Sequence, residues 1–144
     1  KLSITIARGF KHEKELNTKM DIVIKHVGLQ VFENDVLPFY EEVLGMVSTR
    51  AFMLNEEESG KIFGIRRSVT VISGKLGDAE IELFVHASTP EPTYNHVCIH
   101  TFHAEQLYKK AEERGYRVYK RKGYAGVTFF VSDSNRNIFE LKPL

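Results

Sequence analysis

The sequence has few of the features that direct a chain to an unusual environment or partner. Its single cysteine, Cys98, excludes a disulfide within the chain, which fits a protein of the reducing cytoplasm. Twenty basic and nineteen acidic side chains leave a net charge of +1, so there is no electrostatic reason to expect nucleic acid or an anionic membrane as a partner. No apolar run has the length of a membrane span, and no signal-peptide pattern opens the chain.

What remains is an ordinary globular composition, with 42% hydrophobic and 27% charged residues. A chain of 144 residues fits one domain that buries roughly two-thirds of its unfolded surface. We interpret residues 1–20 as an N-terminal extension or a cloning remnant outside the core, with an added edge strand as the alternative. The domain is then 21–144, with module one at 21–87 and module two at 93–144.

The division into modules comes from an internal repeat. His26-Val27 falls on His96-Val97 at a shift of seventy positions, and the match continues through Phe32 on Phe102 and Gly45 on Gly115. A second match, Glu82-Leu83 on Glu140-Leu141, has a shift of fifty-eight. Each half therefore begins with a histidine on a strand-like run and ends with a glutamate on another. Two copies are too few for a solenoid, which favours a duplicated module that closes on itself.

Each module is predicted to have the order β-α-β-β-β, which makes the fold α+β with two tandem modules and a cupped mixed or antiparallel sheet. In module one, Asn34-Asp35 is predicted to cap a helix that ends at Gly45. Around it we expect strands at 22–32, 47–54, 62–73 and 79–86, with an acidic turn at 55–60. In module two we expect strands at 94–101, 116–121, 126–132 and 137–142, and a helix at 104–114.

Side-chain alternation along four of these strands separates two faces. One face is apolar and suits a covering helix. The other carries His26, Gly28 and Gln30 in module one, with His96, Cys98 and His100 at the matching positions of module two. Glu82 and Phe84, and likewise Glu140, share that second face. If the sheets curl, these side chains line a common cavity.

Two histidines and two glutamates on cavity-facing positions suit a divalent metal ion. Imidazole with carboxylate serves Ni, Zn, Co, Mn or Fe and does not choose between them. Four ligands leave open positions for substrate oxygens, so the ion could polarise a carbonyl, and Glu140 or Glu82 could act as the base. Taken singly, each of the four residues is more often structural; their repetition with one parity is what favours metal binding.

Four further residues are predicted to contact a small-molecule substrate: Gln30, His100, Cys98 and Phe84. Gln30 and His100 occupy the same repeat position, one strand step beyond the histidine pair. Cys98 is expected to be a small buried side chain, since nothing marks it as an activated thiolate. The basic runs Arg66-Arg67 and 120–122 could meet an anionic substrate, although such runs are more often solvated strand edges. His12, His86 and His103 fall outside the pattern.

The run His26-Val27-Gly28-Leu29-Gln30-Val31, with the helix Phe39-Tyr40-Glu41-Glu42-Val43-Leu44-Gly45-Met46, resembles the first module of the glyoxalase/bleomycin-resistance/dioxygenase group, the vicinal oxygen chelate superfamily. The second-module strand that begins at Asn95-His96, and the turn at 133–137 before Glu140, resemble its second half. The resemblance covers about residues 22–143. It implies paired βαβββ modules, commonly a homodimer, and metal ligands at His26, Glu82, His96 and Glu140.

Within the superfamily, this His-Glu-His-Glu set is similar to that of bacterial glyoxalase I. The resemblance implies a metal-dependent lyase or isomerase acting on a small α-oxo or α-hydroxycarbonyl compound. One departure is Gln30, where glutathione-type members usually have an arginine, and this makes lactoylglutathione a doubtful substrate. The alternatives are a non-catalytic drug- or metabolite-binding protein of the bleomycin-resistance kind and an iron-dependent ring-cleaving dioxygenase. Glu82 would be surplus in a dioxygenase of this superfamily, which uses two histidines and one carboxylate.

Overall fold

The computed structural model describes residues 23–144, which form two four-stranded sheets with short helices between the strands. The predictions for residues 1–20 lie outside the described part. The elements are β1 (His26–Val31), α1 (Glu33–Asp35) followed by a π-helical segment (Val36–Glu41), β2 (Val47–Leu54), α2 (Glu56–Phe63), β3 (Val69–Leu76), β4 (Ala79–Val85), β5 (His96–Thr101), α3 (Ala104–Glu113), β6 (Arg117–Gly123), β7 (Gly126–Ser132) and β8 (Ile138–Pro143).

The two sheets have the same strand order, β1-β4-β3-β2 and β5-β8-β7-β6. In each sheet the first and last strands of the module pair in parallel, and the other neighbours are antiparallel. The registers also correspond, because Gly28 lies opposite Glu82 in one sheet and Cys98 lies opposite Glu140 in the other. The prediction of an α+β fold built from two tandem βαβββ modules is therefore confirmed.

The first helix differs from its prediction at both ends, since it begins at Glu33 and its last helical residue is Glu41, four residues before the predicted end at Gly45. Asn34-Asp35 does not cap it: Phe32 is the N-cap residue, and Asp35 lies buried inside the helical segment. After Asp35 the backbone widens to i→i+5 hydrogen bonds, such as Glu42 N–H to the Leu37 carbonyl at 3.0 Å. Pro38 lies in this segment; it has no N–H to donate and its ring crowds the carbonyl four residues before it, which disfavours regular α-helix here.

The predicted acidic turn at 55–60 is wrong, because helix α2 occupies it and β3 begins only at Val69. The local sequence explains the helix. Asn55 is the N-cap, its side chain accepting a 2.9 Å hydrogen bond from the Glu58 N–H, and three glutamates in the first turn favour the helix N-terminus electrostatically. Gly64 ends the helix with a left-handed backbone, φ 71°.

One hydrophobic core extends through both modules, on the faces of the sheets that the alternation pattern predicted to be apolar. Ile81 and Leu83 of β4 and Phe139 and Leu141 of β8 are all buried in it. Module one contributes aromatic side chains that contact module two. The ring centroid of Phe39 lies 4.8 Å from that of Tyr116 and 5.8 Å from that of Phe139. The opposite face of each sheet, called the site face below, carries the predicted functional residues.

Partly buried polar contacts also join the modules. Asp35 accepts hydrogen bonds from the Ser134 N–H (2.8 Å), the Ser134 hydroxyl (2.9 Å) and the Tyr116 hydroxyl (3.1 Å). The side-chain amides of Asn135 and Asn137 both donate to the backbone carbonyl of Gln30, at 3.0 and 2.7 Å. These bonds hold the turn before β8 against the end of β1.

Candidate metal centre

In module one, the parallel pairing of β1 with β4 brings His26 to Glu82. His26 lies opposite Glu80 in the register, and Glu82 lies two residues further on the same face. The imidazole Nε2 of His26 is 3.3 Å from Oε2 of Glu82. The other carboxylate oxygen, Oε1, accepts a 3.3 Å hydrogen bond from the Ser73 hydroxyl of the neighbouring strand β3. One carboxylate oxygen is thus held by the sheet and the other faces the histidine.

Module two repeats this geometry with different supporting residues. Nε2 of His96 is 3.3 Å from Oε2 of Glu140, and Oε1 of Glu140 is 3.3 Å from the Lys142 ammonium. Exposure is matched as well: the histidine side chains are 44% and 45% exposed and the glutamates 15% and 17%. The repeat in the sequence is therefore a repeat of local geometry.

The hydrogen bond on the far side of His96 fits a metal-binding role. Nδ1 of His96 is 2.9 Å from the Tyr94 carbonyl, and a carbonyl oxygen only accepts, so Nδ1 carries a proton. In the neutral imidazole Nε2 then has a lone pair, which faces the Glu140 carboxylate. Two acceptors at 3.3 Å need a proton or a cation between them. A histidine whose other nitrogen is held by a backbone carbonyl is the usual arrangement for a metal ligand.

Within residues 23–144, no three histidine, cysteine, aspartate or glutamate side chains come close enough together to hold a metal ion. The structure brings His26 to Glu82 and His96 to Glu140, but does not bring the two pairs together in one chain. Each pair supplies two ligands, fewer than the four to six that the candidate metals take. We call these pairs the two half-sites.

Gln30 is less available for ligand binding than predicted. Its side-chain amide donates to the Ser88 hydroxyl, and its backbone carbonyl is occupied by Asn135 and Asn137. The residue borders a cleft of about 580 Å³ between the modules, which His96 also lines. Gln30 thus shapes this cleft with a side chain already bonded to its own chain.

Cys98 corrects one prediction, because the residue is exposed and not buried. Its side chain lies on the site face next to Glu140. Desolvation by neighbouring atoms and the negative charge of Glu140 raise the pKa of the thiol above its ordinary value. The thiol is therefore protonated at neutral pH, in agreement with the prediction that it is not an activated thiolate.

His100 and Phe84 border different cavities. His100 lies with Glu140 and Lys142 around an open cavity of about 580 Å³ in module two. Phe84 lines a smaller cavity of about 230 Å³ under helix α2, together with Arg67 and His86. Sequence reasoning left His86 aside, although its two-residue spacing from Phe84 and four-residue spacing from Glu82 place it on the same face of the chain.

Comparison with solved structures places this fold among known proteins. FosX, a fosfomycin resistance protein from Listeria monocytogenes, superposes with a TM-score of 0.67 at 15% identity, over 87% of this chain and 95% of that one. A FosX variant from the same organism, in complex with Mn(II) and 1S,2S-dihydroxypropylphosphonic acid, gives 0.62 at 17% identity over 83% and 90%. A glyoxalase family protein from Enterococcus faecalis gives 0.61 at 22% identity over 83% and 95%.

The fold is therefore the glyoxalase fold of these proteins, and the fold that the resemblance of the sequence motifs implied is confirmed. No family profile and no curated protein matches the sequence. None of the helices among residues 23–144 is both long enough and apolar enough to cross a membrane.

Proposed function

We propose that the protein is a metal-dependent lyase or isomerase of the glyoxalase type, acting on a small compound with vicinal oxygens, an α-oxo or α-hydroxycarbonyl. The observation that carries the proposal is the duplicated His–Glu pair, with an Nε2–Oε2 distance of 3.3 Å in both modules. A structure of the same fold holds Mn(II) together with a dihydroxypropylphosphonic acid, a ligand with neighbouring oxygens.

The two half-sites complete one another if the protein is a homodimer. His26 and Glu82 of one copy would meet His96 and Glu140 of the second, so that a two-fold arrangement forms two equivalent four-ligand sites. The argument is one of ligand number: each half-site offers one imidazole and one carboxylate, and the pairs do not meet within the described part of one chain.

The residues at the site have separable roles. A bound divalent ion supplies electrophilic polarisation of a carbonyl oxygen. The histidines would hold the ion through Nε2, and the Tyr94 carbonyl fixes the orientation of His96. Glu82 and Glu140 are the bases available to move a proton at the carbon next to that carbonyl. A carboxylate that served both as ligand and as base would have to leave the ion, and the contact of its Oε1 with Lys142 or Ser73 would resist this.

The sequence prediction assigns the base to Glu140. The contacts of Oε1 favour Glu82 instead, because the neutral Ser73 hydroxyl would release its carboxylate more easily than the charged Lys142 would release that of Glu140. Glu140→Gln and Glu82→Gln, each assayed with its metal content measured, separate ligand loss from loss of the base. Turnover that persists in both variants would rule out a carboxylate base.

Metal content tests the centre directly. Protein purified without a chelator or a histidine tag is expected to contain about one divalent ion per chain, and His96→Ala to lose it. His103→Ala is the matched control, since His103 lies outside both half-sites. A wild type that stays metal-free after incubation with Ni, Zn, Co and Mn would reject the enzyme proposal.

A mixing experiment tests the dimer. His26→Ala and His96→Ala each damage both sites of their own homodimer. Unfolded together and refolded, they form mixed dimers in which one site carries both substitutions and the other carries none. Random pairing would restore about a quarter of the wild-type sites. If all four ligands came from one chain, mixing would restore no metal binding above that of the parents.

A second candidate is a binding protein without catalysis, and one contact favours it. Gln30 stands where glutathione-type members usually have an anchoring arginine, and its amide is already bonded to Ser88. Such a protein would bind its ligand stoichiometrically with no product formed, whether or not metal is present. Product analysis after binding at equimolar concentrations distinguishes the two functions.

A further inference from the structure

The cavity under helix α2 is the feature that the metal chemistry leaves unused. It has a volume of about 230 Å³ and is lined by residues of α2, β1, β3 and β4 and of the segments that follow α2 and β4: Gly28, Leu29, Gln30, Ser59, Phe63, Ile65, Arg67, Val69, Phe84 and His86. We call it the α2–β4 cavity. It is smaller than the roughly 300–1,000 Å³ of sites for drug-sized ligands, so its size suits one ring with a short substituent.

The walls of the α2–β4 cavity are apolar and partly uncovered. The rings of Phe63 and Phe84 meet edge to face, with centroids 5.3 Å apart. Phe63 is 51% exposed and Ile65 is 41% exposed, although both border the cavity. Large apolar side chains left in water around a concavity are a common mark of a binding site, because a ligand that covers them removes apolar surface from water.

One end of the α2–β4 cavity is polar and cationic. Nη1 of Arg67 is 3.0 Å from Nε2 of His86. A guanidinium only donates, so Nε2 accepts and the proton of the neutral imidazole lies on Nδ1. Nδ1 of His86 is buried and has no hydrogen-bond partner among residues 23–144. A buried donor without an acceptor is costly, and a ligand oxygen would remove that cost.

The charges of the lining residues favour a ligand with a negative charge. Of the ten residues around the α2–β4 cavity, none is acidic and one, Arg67, is a cation. The neighbouring Arg66 pairs with Glu56 at 3.9 Å and is not among the lining residues. An anionic oxygen in the cavity would therefore find the Arg67 guanidinium, with His86 beside it, and no competing carboxylate among the lining residues.

We propose that the α2–β4 cavity binds a small molecule made of one apolar ring and an anionic group, with the ring against Phe63 and Phe84 and the anionic oxygen at Arg67 and His86. Phe84 on β4 and His86, one residue beyond the end of β4, follow Glu82 along the chain, and Gly28 lies opposite Glu82. A ligand here thus extends from the module-one half-site. Only the claim that this ligand is part of the substrate rests on the proposed function. Binding in the cavity itself needs no metal.

The test uses the full chain freed of metal with a chelator, so its outcome is independent of the metal centre. Phenylacetate is titrated and followed by NMR shifts of the residues around the cavity, with acetate and benzyl alcohol as probes that lack the ring or the charge. For a ligand of this size we expect a Kd of about 1 mM. Acetate and benzyl alcohol are expected to bind at least tenfold more weakly.

Two adjacent arginines provide a matched pair of variants. Arg67→Gln is expected to weaken phenylacetate binding roughly ten- to a hundredfold, the usual effect of removing a hydrogen bond to a charged group. Arg66→Gln makes the same change in net charge one residue away and is expected to stay within twofold of the wild type. His86→Phe removes the donor and keeps a ring, and is expected to resemble Arg67→Gln.

Three outcomes would overturn the proposal. No saturable binding of phenylacetate by the wild type would reject the site. Equal losses in the two arginine variants would reduce the effect to net charge. If acetate bound as tightly as phenylacetate, the ring would not be recognised. If benzyl alcohol did so, the anionic group would not be recognised. Unchanged amide spectra of the free variants establish that each one is folded.

Discussion

The hydroxyl of Tyr40 in module one donates a 2.6 Å hydrogen bond to Oδ2 of Asp133 in module two, between two side chains that are almost completely buried. Ninety-three positions separate these residues in the chain. Asp133 also accepts hydrogen bonds from the backbone N–H and the side-chain amide of Asn137, both at 2.8 Å. Desolvation and the adjacent carboxylate raise the pKa of the Tyr40 hydroxyl, which therefore remains a donor. This contact joins the two modules inside the core.

Tyr40→Phe tests how much the contact stabilises the fold. The change keeps the ring against Phe139 but leaves a buried carboxylate oxygen with one donor fewer, so we expect the free energy of unfolding to fall by about 1–3 kcal/mol. Urea unfolding at neutral pH measures it. Tyr94→Phe removes the same atom from a fully exposed residue and should change little. A Tyr40→Phe protein as stable as the Tyr94→Phe control would contradict the assignment.

Asp133 makes a prediction about pH. Burial raises its pKa above the ordinary value, an effect only partly offset by hydrogen bonds from Asn137 and Tyr40. The folded state therefore holds this proton more tightly than the unfolded state, and the resulting stabilisation is present at low pH and lost as the pH rises through the folded pKa. The neutral amide of Asp133→Asn binds no such proton, so the variant lacks this contribution to the pH dependence of stability.

The free energy of unfolding of the wild type minus that of Asp133→Asn is thus expected to increase as the pH falls from 7 towards the ordinary aspartate pKa, about 3.9. Urea unfolding of both proteins across that range measures the difference, and other titrating groups cancel between them. A difference that shrinks as the pH falls would mean that the folded state lowers the pKa of Asp133.

Much of the candidate site could be predicted because it depends on strand alternation and repetition. Glu82 and Glu140 sit on parallel strands beside the strands of His26 and His96, and a shared face is enough to bring each pair together. The prediction that Leu83 and Leu141 lie on the apolar face of their strands is also confirmed, since both are buried. These are local properties that a strand carries wherever it packs.

The missed features depend on partners distant in sequence or on local signals that were outweighed. The sequence around Asp35 suggests a helix cap, but its buried carboxylate instead accepts a hydrogen bond from the N–H of Ser134, ninety-nine residues later. Helix α2 has a readable signal, Asn55 with three glutamates after it and Gly64 at its end, but the acidic run also suits a turn and the apolar residues that follow also suit a strand. The contact of Arg67 with His86 exists only because this helix turns the chain back over β4.

Two glycines of the module-one sheet, Gly28 on β1 and Gly74 on β3, are expected to differ in how substitution by alanine affects stability and ligand binding. A Cβ at Gly28 would lie 3.1 Å from Cε2 of Phe84, so Gly28→Ala displaces a ring that forms one wall of the α2–β4 cavity. A Cβ at Gly74 would lie 2.3 Å from Cε of Met46 and 2.7 Å from the Val47 carbonyl, a clash with core and backbone away from that cavity.

We expect Gly74→Ala to lower the free energy of unfolding by about 1–3 kcal/mol, as overpacking does, and its folded fraction to bind phenylacetate like the wild type. Gly28→Ala should keep its stability within about 1 kcal/mol, because the lost chain entropy of glycine offsets a small ring shift, and weaken phenylacetate binding about threefold or more. Urea unfolding and the NMR titration measure the two effects separately. If Gly28→Ala bound phenylacetate like the wild type, Phe84 would not be part of the wall that the ligand contacts.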